Sequence, residues 1–185
     1  SFVAGLREAY TRLTELFAEL KNPRDTEEVE VFLANDKKRE NFYNLLCDFG
    51  KALNIVLNAE QAYTAVPKDE LKQYQNTFIF FSKVRRSVKI RYCDAIDNRE
   101  YEPLMQNLLD THLSVAGLKQ ITSPIDILNK DDFERELEEL GSLRAKADAI
   151  TSKLTRSISE KYQENPAYYD SFSKRIKDAL DQYKE

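Results

Sequence analysis

Apolar side chains along this chain recur at three- and four-residue steps between polar and charged positions, and the pattern restarts several times. Such a period places apolar groups on one face of each of a series of helices. Phe2, Leu6, Tyr10, Leu13, Phe17 and Leu20 form the first face, which Asn22-Pro23 ends. Thr26 to Ala34 reads as a further helical turn or two. Phe42, Leu45, Leu46, Phe49, Leu53, Val56 and Leu57 then give the cleanest stripe and predict a helix from Asp36 to Asn58. Gly50 lies inside that stripe, where glycine costs about 1 kcal/mol relative to alanine, so a closely packed neighbour is the expected reason for it.

Val66-Pro67 interrupts the period, because proline suits the first turn of a new helix and turns the residue before it away from helical geometry. A second long helix is expected from Lys68 to Ala95, with Leu71, Tyr74, Phe78, Phe81, Val84, Val88 and Tyr92 inward. Beyond Asp97-Asn98 a shorter helix is carried by Leu104, Met105, Leu108, Leu109 and His112, with Pro103 tolerated near its start. The period fails from Ser114 to Asn129. Asp131 to Leu140 resumes as an acidic helix that Gly141 should end in a left-handed conformation, and Ser142 can cap the next. Leu143, Ala147, Ile150, Leu154 and Ile158 define that helix. Asn165-Pro166 opens a last one, with Tyr169, Phe172, Ile176, Ala179 and Tyr183 on its face. The expected fold class is all-α: an irregular bundle of six or seven helices, mostly antiparallel, with one irregular connection around 114–129.

Composition agrees: 42% hydrophobic and 32% charged residues with four glycines and five prolines are too apolar for disorder and too poor in turn-formers for an all-β fold. A chain of 185 residues fits a single helical domain, 1–185, with residues 1–35 open to a second assignment as a lead-in from a preceding domain. The chain starts at Ser1 and enters a helical period at once, as a segment from inside a longer polypeptide would. Its net charge of −4 gives no general attraction to phosphate, so any nucleic-acid contact must be local. The longest strictly apolar run, Phe78-Ile79-Phe80-Phe81, is far short of a membrane span, and no signal pattern precedes it. Cys47 and Cys93 lie in amphipathic segments without disulfide or metal spacing, which fits buried free thiols and a cytoplasmic location.

Little in the chain resembles catalytic machinery. His112 is the single histidine and has no nucleophile elbow near it, so a polar contact that positions its helix is the expected role. The glycines Gly5, Gly50, Gly117 and Gly141 are scattered, which rules out a phosphate-binding loop. Asp94, Asp97, Glu100 and Glu102 are the carboxylate types a hard cation prefers, but flanking Arg91 and Arg99 favour a salt-bridged helix end. No metal or cofactor site is expected. One basic cluster, Lys83, Arg85, Arg86, Lys89 and Arg91, stands out from the acidic background. Two readings stay open: contact with duplex DNA backbone, or pairing with the acidic clusters of the same chain. The macrodipole accounts for some of these cations at a helix end.

The order of several short runs carries a family likeness. Arg85-Arg86-Ser87-Val88-Lys89-Ile90-Arg91-Tyr92-Cys93-Asp94-Ala95-Ile96-Asp97 is followed by Tyr101-Glu102-Pro103 and Leu108-Leu109-Asp110-Thr111-His112. Lys146 to Ile150, Ile158 to Lys161 and Asn165 to Tyr169 come next. In this order they resemble the C-terminal region of the R subunit of type I restriction-modification enzymes, over about Asn41 to the C-terminus. The resemblance implies a parent, an ATP-dependent type I site-specific deoxyribonuclease, with a nuclease domain and two ATP-hydrolysing, DNA-pulling motor domains that use ATP and Mg. It implies that this helical region is non-catalytic, braces the motor and docks it onto a core of modification and specificity subunits. The family positions matched by Tyr92, Asp94, Asp97, Tyr101, Glu102, Pro103, Asp110 and His112 would fix a helix-loop-helix corner, with an interface role second. Abundant tyrosines, Tyr63, Tyr168 and Tyr183 among them, suit a protein interface.

Overall fold

The structure, a computed structural model, describes residues 1–94, 101–113 and 130–181. Among the described residues it is 82% helical, with nine helices and no strand. They are α1 (Phe2–Glu15), α2 (Thr26–Phe32), α3 (Asp36–Asn58), α4 (Glu60–Ala65), α5 (Lys68–Arg91), α6 (Tyr101–His112), α7 (Lys130–Glu139), α8 (Leu143–Lys161) and α9 (Pro166–Asp181). The expected irregular connection at 114–129 lies outside the described residues, as do Asp97 and Tyr183. The count exceeds the expected six or seven because two short elements form helices of their own. One is α2, started by the Asp25 carboxylate accepting from the Glu28 amide at 2.8 Å. The other is α4, six residues with none buried.

The chain divides into two compact units, Ser1–Arg86 with Ile96–Pro124, and Ser87–Ala95 with Ile125–Glu185. In the first, α1, α3 and α5 meet through rings: Phe17 stacks on Phe81 with centroids 5.0 Å apart, and Phe49 meets Tyr74 and Phe78 edge-on. The period of α1 runs past its end. The helix stops at Glu15, and tight turns, Phe17 N to Thr14 O and Ala18 N to Glu15 O, carry Phe17 into the core. Phe2, expected inward, is 62% exposed because it opens the helix. Arg39 is buried and donates to the Leu33 and Ala34 carbonyls, two acceptors that the end of α2 leaves without helical partners.

Gly50 is explained by close approach, since a Cβ there would sit 2.8 Å from Phe78 Cε2 and 3.5 Å from Leu104 Cδ2. Phe78 is itself fully buried against Phe49, so its ring has no open space to retreat into. Gly50→Ala would gain about 1 kcal/mol of helix propensity against overpacking of about 1–3 kcal/mol. The expected result is a net loss of about 1 kcal/mol, read as a lower urea midpoint at unchanged slope.

The Glu70 carboxylate of α5 accepts from Arg7 of α1 at 2.7 and 3.0 Å and from the Tyr74 hydroxyl at 2.5 Å. The hydrogen bond from Arg7, followed by that from Tyr74, draws the Glu70 carboxyl down from 4.5 to about 2. A carboxyl with a folded pKa below its unfolded one contributes fully above the unfolded value and loses that contribution as pH falls toward the folded one. The attachment of α1 is therefore expected to weaken as pH drops from 4.5 toward 2. Urea midpoints followed across that window should fall less steeply in Arg7→Met than in the parent chain.

The second unit is built from the last turn of α5 with α7, α8 and α9. Its core is Ile90, Phe133, Leu140, Ala145 and Ala149, with Leu137 packed against them. Small alanines on α8 let α7 and the end of α5 approach closely. Ser142 caps α8 by accepting from the Ala145 amide at 2.9 Å, and Asn165 caps α9 by accepting from the Tyr168 amide at 3.2 Å. Gly141, expected to be left-handed, is not; that conformation falls on Cys93 instead, at φ 54°.

Candidate functional site

Cys93 marks how α5 ends. Its amide donates to the Ile90 carbonyl at 3.2 Å and the Asp94 amide to the Lys89 carbonyl at 3.0 Å, the paired bonds of a Schellman cap with cysteine at the position glycine usually takes. Three residues of α8, spaced by four and so on one face, read this end. Asp148 Oδ2 accepts from Arg91 Nε at 2.9 Å and lies 2.8 Å from Arg91 Nη2. Ser152 Oγ is 3.0 Å from the Arg91 carbonyl and 2.8 Å from that of Asp148, sharing its proton between them. Arg156 Nη1 donates to the Cys93 carbonyl at 3.1 Å. The thiol between these groups is pushed up by burial, partly offset by Arg156. Cys47, expected buried, is half-exposed, and neither cysteine is in a disulfide.

In the first unit Arg85 is the organising cation. Nη1 donates to Glu102 Oε1 at 3.1 Å, and the guanidinium lies 4.0 Å over the Tyr101 ring. Burial pushes the Tyr101 phenol up, with Arg85 opposing it. Of the other positions carried by the family likeness, Tyr92 sits 5.7 Å from the Arg91 guanidinium, Asp94 is half-buried, and Pro103 is exposed in the first turn of α6. Asp110 accepts from Gln106 Nε2 at 2.7 Å, and His112 Nε2 lies 3.3 Å from Asn58 Oδ1. His112 thus makes a polar contact between α6 and α3.

The basic cluster is divided by burial. Arg85, Arg86 and Arg91 are 4%, 9% and 0% exposed, Lys89 is half-buried and Lys83 is exposed. Arg85 and Arg91 have their carboxylates inside the fold, Glu102 and Asp148. Of the eight large exposed hydrophobics among the described residues, Phe2, Ile55 and Tyr63 lie in the first unit, and Leu143, Ile150, Tyr162, Tyr168 and Phe172 lie on α8, α9 or the turn between them. Tyr168 and Phe172 stack in parallel, 6.0 Å between centroids. Sequence reasoning did not single out Asp148, Ser152 and Arg156 as a group. Their four-residue spacing on a helix otherwise faced with alanine was the available signal.

Among the described residues no three His, Cys, Asp or Glu side chains are grouped to hold a metal ion, and no helix is long and apolar enough to cross a membrane. What the described residues define is a helical chain with a helix-end clamp in its second unit and several large apolar side chains exposed on α8 and α9. The chain belongs to the family described as type I restriction enzyme HindI endonuclease subunit-like, C-terminal, whose model matches residues 21–185. That range starts before Asn41, where the likeness becomes legible by eye. No curated protein and no solved structure matches the chain.

Proposed function

We propose that this chain is a non-catalytic docking region that braces the DNA-translocating motor of a type I restriction subunit and joins it to the modification and specificity subunits. The observation that carries the reading is that five of the eight large exposed hydrophobics among the described residues, Leu143, Ile150, Tyr162, Tyr168 and Phe172, lie on α8, α9 or the turn between them, with Tyr168 stacked on Phe172. Exposed apolar side chains concentrated on neighbouring elements suit association, and aromatic residues anchor protein interfaces. Cleavage and ATP- and Mg-dependent chemistry are assigned to other parts of the parent subunit. The alternative, backbone contact with duplex DNA through residues 83–91, has less to support it. Only Lys83 of that cluster is exposed, and a cation already paired with a carboxylate offers little to a phosphate.

The experiment is co-elution of the purified chain with its cognate modification-specificity core at low and physiological salt, with duplex DNA run alongside. Stable co-elution at both salts is the expected result. Absence of core binding, together with a DNA shift that disappears as salt rises, overturns it.

A further inference from the structure

The face of α8 turned to solvent has a definite chemical character. Leu143, Lys146, Ile150, Leu154 and Lys161 follow one another at spacings of three, four, four and seven, which puts them on one side of the helix. Leu143 is 84% exposed and Ile150 37%, Lys161 is exposed, and Lys146 and Leu154 are half-buried. An apolar line with cations along it is thus presented over about five turns.

The charges on this helix are one-sided. Its basic residues are Arg144, Lys146, Lys153, Arg156 and Lys161, and its acidic ones Asp148 and Glu160. Both carboxylates are engaged, Asp148 by buried Arg91 and Glu160 by Arg156 at 3.4 Å. Lys153 Nζ sits 4.0 Å over the Phe133 ring, and Arg156 is held at the end of α5. Arg144, Lys146 and Lys161 remain with no carboxylate beside them among the described residues.

We infer that the Leu143–Lys161 face of α8 is the docking strip for an acidic amphipathic helix of a partner protein, its apolar stripe on Leu143 and Ile150 and its carboxylates against Lys146 and Lys161. This rests on the docking reading and names the surface and its complement. A nucleic acid fits less well, because phosphate gains nothing from an exposed leucine and isoleucine along the strip. A second copy of this chain fits less well too. Its acidic helix α7 shows Asp131, Glu134 and Glu138 to solvent, while Phe133 of the same helix and Leu140 just past its end are buried in its own core. It therefore has no apolar stripe to offer beside its carboxylates.

The test uses the whole chain and the purified modification-specificity core as probe, with affinity measured by titration calorimetry. Leu143→Glu combined with Ile150→Glu should weaken binding about 100-fold, as loss of two apolar anchors does. Lys146→Glu combined with Lys161→Glu should weaken it about tenfold and flatten its salt dependence. Leu143→Glu alone guards against misfolding: the position is the first of α8, where a carboxylate suits the helix dipole, and its melting temperature should match the parent's. If the parent chain fails to bind the core, the docking reading falls and this inference with it. If the parent binds and all three variants bind as tightly, the inference alone is overturned and docking lies on another surface. Variants that keep the core but lose retention of duplex DNA would make the strip a nucleic-acid face, which also overturns it.

Discussion

An Asp148→Ala variant is expected to lose about 3 kcal/mol of stability, the lower end of the cost of breaking a buried ion pair. Arg91 is 0% exposed, so its charge depends on groups inside the fold, and Asp148 Oδ2 receives two of its nitrogens within 2.9 Å. The lower end applies because the Asp148 side chain keeps 13% of its surface exposed, and water softens the loss. Asp148 is also the first rung of the ladder by which α8 holds the end of α5, so its removal should loosen Ser152 and Arg156 as well. Amide exchange at Tyr92, Cys93 and Asp94 is the local readout, and the urea transition the global one. Replacing both partners, Arg91→Met with Asp148→Leu, should recover much of the loss, since an apolar pair of similar volume removes the desolvation problem. A single Asp148→Ala cost below about 1 kcal/mol would mean that the clamp is held by Ser152 and Arg156 without the ion pair.

This pair also shows where local reading of the sequence reaches its end. The helices with a full apolar stripe, α3, α5 and α8, are legible because period and length agree over many turns. By contrast, α4 has no stripe, and the end of α1 is hidden because Phe17 stays in phase with the helix although the chain there has left it. A left-handed residue is looked for at glycine, and here cysteine takes it, held by two backbone bonds and by Arg156. For Arg85 and Arg91 the sequence leaves DNA contact and pairing within the chain both open, because their partners are 17 and 57 residues away. A charge run shows its sign in sequence, but its burial is decided by tertiary neighbours. The docking strip was half legible: Leu143 and Ile150 fit the stripe of α8, yet a period cannot say which part of a stripe the neighbouring helices leave uncovered.

Phe17→Ala is the second large expected effect, about 3–5 kcal/mol for truncating a fully buried phenylalanine. Phe17 touches rings from three other elements, Phe32 at 5.6 Å, Phe42 at 5.7 Å and Phe81 at 5.0 Å. It sits in a turn fixed by its own backbone bonds, so the site cannot collapse easily and the residual cavity should be large. Leu20→Ala, at a half-buried position three residues on, is the control and should cost far less. The comparison bears on where the folding unit begins, because the family match starts at residue 21, whereas Leu6, Leu13 and Phe17 are fully buried in the first unit. A chain shortened to start at residue 21 is therefore expected to lose the cooperative urea transition of the first unit and to bind hydrophobic dyes. A small effect of Phe17→Ala, with the shortened chain still unfolding cooperatively, would instead make the matched range the folding unit and leave α1 as an attached helix.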